Sequence, residues 1–152
     1  MRKCILILCL IIASLSSFSQ TCEERENKLL EVIGGFSAGM LYNTHGLIGS
    51  ISDGFTHDAY DAVTLSDLMD AQIKVADNLI KMLEELKTGG LLKDEKDQDY
   101  SNSVITILKG LKKQAQLLEV YADRKSMQNQ NAYDDQRKQN WSAISKLMGI
   151  EE

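Results

Sequence analysis

Proline is absent from all 152 residues. No helix is therefore forced to break by a ring that lacks a backbone N–H. Runs of β-branched residues alternating with polar ones between turn clusters are missing too, which removes the usual signal for strands. Histidine occurs twice, at positions 45 and 57, too few for a hemerythrin-type metal centre. Cysteine occurs three times, and two of these, Cys4 and Cys9, fall in the first twenty residues. If those residues are removed, Cys22 is left alone and no internal disulfide can form.

The catalytic and phosphate-binding signatures are missing as well. There is no G-x-x-x-x-G-K-[ST] run and no strand-anchored G-x-G-x-x-G. There is no G-x-S-x-G elbow for a nucleophilic serine. No Glu-x-x-His, the motif with which helical bundles hold two metals, is present. The aspartates do not follow the alternating ligand pattern of a calcium loop. Carboxylate pairs are common throughout an acidic helical chain and select nothing. Together these absences predict a protein that is not an enzyme and that needs no cofactor.

The opening "MRKCILILCLIIASLSSFSQ" has the three parts of a secretory signal peptide. Arg2 and Lys3 provide the basic start, and Cys4–Ala13 is an apolar run too short for a stable membrane anchor. Ser17 and Ser19 stand at the −3 and −1 positions of a cut before Gln20. The expectation is a signal peptide over 1–19, a single domain over 20–152, and export to the periplasm or the extracellular space. Removing 1–19 takes two positive charges from a net of −5, leaving −7 on 133 residues. A chain of that size can bury a core without staples. Its acidity argues against nucleic acid and anionic lipid as partners. Membrane association would require lipidation of Cys22, whose preceding residues match a lipoprotein signal poorly, or insertion of the first helix.

What the chain has is helical spacing in four places. Helix 1 is expected from Cys22 to Phe55, with Leu29, Ile33, Phe36, Met40, Leu47 and Ile51 as its apolar stripe. Leu30, Leu41 and Ile48 widen that stripe on one side. Helix 2 is expected from Leu65 to Lys87, with a cap from Thr64 and a stop at Gly89-Gly90. Helix 3 has its firm part over Asn102–Arg124, after a polar run "KDEKDQDYSNS" that reads as a solvated loop or a frayed helical start. Helix 4 is expected over Ala132–Met148, capped by Asn131, with Tyr133, Trp141, Ile144 and Met148 as its stripe. Short connections favour antiparallel neighbours, so the predicted fold is an all-α, up-down antiparallel four-helix bundle.

The stretch "GGFSAGMLYNTHGLIGSISDGFTH" concentrates six of the ten glycines and both histidines. Val32–Ile51 within it carries no formal charge over twenty residues, the length of a membrane span. Asn43, Thr44 and His45 at its midpoint, and its five glycines, make burial in a bundle the cheaper explanation. On a helical projection Gly35, Gly39, Gly46 and Gly49 share one side with Tyr42, away from the apolar stripe. Each glycine costs a helix about 1 kcal/mol relative to alanine. This face is the candidate contact surface, for helix 4 or a loop, for a second copy or for another protein; the alternative is that nothing packs there and the glycines allow a bend. A metal reading would use His45, Asp53, His57, Asp58 and Asp61. The plainer expectation is that His45 is half-buried and hydrogen-bonded within the bundle and that the aspartates cap turns. The leading functional expectation is an exported, non-enzymatic binding or structural protein. A metal- or cofactor-binding bundle and a membrane-active protein led by helix 1 stand as the alternatives.

Overall fold

The computed structural model describes residues 21–150. Among the described residues there are four helices and no strand: α1 Cys22–Thr56, α2 Ala62–Thr88, α3 Glu95–Asp123 and α4 Met127–Met148. The fold is an all-α four-helix bundle. Residues 1–19, which carry the signal-peptide reading, and the Cys22 side chain lie outside the described residues. The chain divides into two compact units between Phe36 and Ser37.

In the first unit, Thr21 and Glu24 exchange two hydrogen bonds. The Thr21 amide donates to Glu24 Oε2 (2.9 Å) and the Glu24 amide to Thr21 Oγ1 (3.1 Å). This is a capping box, and it satisfies two backbone donors at the helix start. Lys28 and Glu31 pair at 2.7 Å on the exposed surface, worth at most about 1 kcal/mol. Leu29, Val32, Ile33 and Phe36 are exposed, Phe36 by 77%.

The second unit contains the bundle. Lys112 reaches Asp77 (2.7 Å), Lys109 reaches Glu84 (3.4 Å), and Lys87 bonds Asn102. Residue numbers thus rise on α3 as they fall on α2, so the two helices are antiparallel. Asn129 approaches the Val120 carbonyl, and Asn140 bonds Gln114, so α4 is antiparallel to α3. On α1, Ser37 meets Tyr100 (2.7 Å) and Phe55 meets Tyr121 edge-on (6.2 Å), so α1 runs parallel to α3. Direction therefore alternates along the chain.

The core is lined by Leu41, Ile48, Ile51 and Phe55 of α1, Leu65, Met69, Ala76 and Ile80 of α2, and Val104, Leu108, Leu111, Ala115 and Leu118 of α3. Tyr133 and Ile144 complete it from α4. Two expectations are corrected here. The axis of α1's buried face is Leu41–Ile48–Phe55, a seven-residue line; of the expected stripe Ile51 is buried and Met40 packs against the core, but Leu29, Ile33, Phe36 and Leu47 are exposed. On α4, Trp141 is 42% exposed, and the inward positions beside it are held by Gln136 and Asn140.

The starts of α2 and α4 differ from expectation, whereas α1 begins at Cys22 as expected and α3 takes the helical one of its two expected starts. Asp61, not Thr64, caps α2, accepting from the Thr64 amide at 2.7 Å. Asp94 caps α3, which therefore begins within the polar run, and Glu95 and Asp97 in its first turn favour that dipole end. Ser126, not Asn131, caps α4, five residues earlier than the apolar pattern suggests. The ends follow the glycines: Gly89 caps α2, and Gly149 caps α4 at φ 66°.

Candidate functional site

The candidate face of α1 is positioned by its packing on α4. Tyr42 and Trp141 lie with ring centroids 5.9 Å apart, and Trp141 also faces the His45 ring at 5.7 Å. His45 Nε2 donates to the Arg137 carbonyl at 3.2 Å. One turn further on α1, Gly49 is buried beneath the Arg137 side chain; a Cβ there would lie 3.0 Å from its guanidinium. Gly49 thus makes room for Arg137, and Arg137 and Trp141 close the seam from the α4 side. Burial lowers the pKa of His45 below the ordinary histidine value. Its bond to the Arg137 carbonyl opposes that shift, and the Arg137 charge adds to it.

The other glycines of this face are open. A Cβ added at Gly35, Gly39 or Gly46 would meet nothing within 4 Å. The face thus divides into a half covered by α4 and a half turned to solvent, where Tyr42 is 45% exposed. In the second unit, Asn43, Gly46, Leu47 and Ser50 share that exposure.

The remaining residues of the metal reading are not brought together. His57 Nδ1 bonds the Asp53 backbone carbonyl (2.7 Å) and not its carboxylate. Asp58 sits in the left-handed region at φ 58°, in the turn between α1 and α2. Asp61 is committed to the α2 cap, whose backbone hydrogen bonds hold its carboxyl below the usual range. Among the described residues, no three side chains of the ligating types converge on a metal position. Nor, among them, is any helix long and apolar enough to cross a membrane. A groove of about 590 Å³ lies between the start of α3 and the end of α4. Two hydroxyls on its wall, Ser103 and Thr106, bond carbonyls of their own helix, and Asp99 and Lys146 line it as well.

One arrangement escaped the sequence reading. Gln136 Nε2 donates to Asn140 Oδ1 (2.9 Å), and Asn140 Nδ2 donates to Gln114 Oε1 (2.8 Å). All three residues are buried, Gln114 completely. Gly110 leaves the space that the Asn140 side chain fills. The available signal was spacing: Tyr133, Gln136, Asn140 and Ile144 follow steps of three and four, placing two amides on the apolar line of α4.

Compared with known proteins, the chain matches no family model, no curated sequence and no solved structure. The functional reading therefore rests on the residues alone.

Proposed function

We propose that this is an exported, non-enzymatic helical-bundle protein that acts by binding protein through the α1–α4 seam. The observation that carries the reading is the solvent half of α1. It presents Tyr42 against Trp141, each nearly half exposed, within twenty residues that contain no Asp, Glu, Lys or Arg. Tyrosine, tryptophan and arginine are the residue types that most often anchor protein contacts, and here all three converge on one seam. Burial accounts for the missing charge on the inner half of α1 but not on the outer half, in a chain of which 26% is charged. The seam needs no cofactor, and the net negative charge suits neither nucleic acid nor an anionic membrane.

The test is cross-linking in the cells that make the protein, followed by its purification under denaturing conditions, for wild type and for Trp141→Ala and Tyr42→Ala. A cross-linked species lost in both variants supports the reading. Equal cross-linking in all three, or none in wild type, removes it. An intact mass on the same material tests export, since a chain starting at Gln20 is expected and one starting at Met1 contradicts it.

A further inference from the structure

We propose that α4 is a detachable helix, which leaves and rejoins the rest of the bundle as one unit while α2 and α3 stay together.

The two neighbours of α3 are held by different chemistry. The four buried residues of α2 are all apolar, and Leu68, Ile73, Leu79 and Leu83 pack beside them. Lys109–Glu84 and Lys112–Asp77 brace that side from the surface. The five buried residues of α4 are Tyr133, Gln136, Asn140, Ile144 and Ser145, and three of them are polar. Its apolar anchors, Tyr133 and Ile144, stand eleven positions apart with the two amides between them. Ala143 and Leu147 add only partly buried contacts beside Ile144. Among the described residues no ion pair joins α4 to another helix.

Docking of α4 also strands polar atoms. Four buried side-chain atoms among the described residues have no hydrogen-bond partner: Tyr133 Oη, Ser145 Oγ, Gln114 Nε2 and Ser101 Oγ. The first two belong to α4, and the third to the glutamine that bonds Asn140 of α4. Ser52 of α1 and Gln114 of α3 are polar neighbours of the Tyr133 hydroxyl, yet neither bonds it in good geometry. Water satisfies such groups once α4 moves away, so each of them opposes docking. A polar interior that is only partly satisfied holds less firmly than an apolar one. Three residues, Arg124–Ser126, join α4 to α3, so a released α4 stays beside its place.

Arg137 and Trp141 travel with α4. Its departure therefore dismantles the contacts with Tyr42, His45 and Gly49 and takes the seam apart. Control of binding by α4 rests on the seam's being a protein-binding surface; the opening itself does not.

Native-state hydrogen exchange on the whole protein, read residue by residue, tests the proposal. The slowest amides of α4 are expected to share one opening and to exchange at least about tenfold faster than the slowest amides of α2 and α3. Amides of α4 as slow as those of α3 would overturn the proposal. Rates graded inward from one end of α4, with no shared opening, would overturn it too, because that is fraying. Replacing Gln114, Gln136 and Asn140 together by leucine makes the interface apolar and should close most of the gap in rate. A gap left unchanged in that variant would overturn the polar interface as its cause, and the wild-type rates decide the opening by themselves. A shared opening of α4 in a protein that cross-links nothing through Trp141 would remove the control of binding and leave the detachable helix intact.

Discussion

The carboxamide of Asn140 on α4 occupies the space into which a side chain at Gly110 on α3 would project. The helices approach closely at that point because one has no side chain, and the other fills the gap with an amide bonded on both sides, to Gln136 and Gln114. Gly110 is therefore a packing residue, in contrast to the open Gly39 and Gly46 on α1.

Alanine substitutions should separate these two kinds of glycine. At Gly46 the added methyl meets nothing, so Gly46→Ala should stabilise the monomer by up to about 1 kcal/mol through helix propensity. At Gly110 the same gain is outweighed by displacement of Asn140, and overpacking of this kind costs about 1–3 kcal/mol. Urea unfolding at low protein concentration should show opposite shifts in midpoint. Shifts of the same sign would contradict the assignment.

The buried amides act as a unit. Asn140→Leu removes both bonds and leaves Gln136 and Gln114 without their partner, at about 1–3 kcal/mol for each orphaned group. Replacing Gln114, Gln136 and Asn140 together by leucine leaves none of these amides orphaned. The triple variant should therefore be more stable than Asn140→Leu alone, as measured by denaturant unfolding. Additive losses across the three positions would show that the amides are independent.

Much of the fold was legible in the sequence because four apolar periodicities, uninterrupted by proline, leave few other architectures. Gly89-Gly90 marked the end of α2 correctly, because a stop is local chemistry. The rotation of α1 was not legible. Its sequence has an apolar residue on either side of the true axis, and only packing selects Leu41, Ile48 and Phe55 over Leu47. The seam was half legible: a glycine face with Tyr42 can be drawn on a projection, but nothing in α1 announces that Arg137 and Trp141 meet it. The starts of α2 and α4 were read late because the apolar pattern begins a turn or so after the cap, whereas α1 begins at Cys22 as expected.

That lateness can be checked at α2 and α4. Asp61→Ala should lose the bonds to the Thr64 amide and hydroxyl and destabilise the protein by about 0.5–2 kcal/mol, whereas Thr64→Ala loses only the hydroxyl's bond and should cost less. Ser126→Ala should likewise cost more than Asn131→Ala, since Ser126 Oγ accepts from the Asn129 amide and Asn131 is an exposed residue inside the helix. Thermal unfolding of the four variants decides it, and the reverse order within either pair would contradict the observed caps.

Acid should loosen the bundle partly through His45. Burial, with the Arg137 charge, lowers the pKa of its folded form below 6.5, and the bond to the Arg137 carbonyl only partly opposes this. As pH falls below 6.5 the unfolded chain binds a proton that the folded chain still refuses. The contribution of neutral His45 is thus complete above that value and is lost as pH drops from there through the lower folded pKa. Glu119 acts in the opposite sense. Burial raises its pKa above 4.5, the Ser66 bond opposes this and Asp70 adds to it, so the folded chain takes up that proton first. Glu119 therefore gains stability as pH falls through its raised value towards 4.5. Comparison with His45→Gln isolates the histidine, because the glutamine amide can still donate to the Arg137 carbonyl and Glu119 is common to both proteins. The wild type should lose melting temperature below pH 6.5 more steeply than His45→Gln. Parallel curves across that range would show that the His45 ring does not couple acid to the α1–α4 seam.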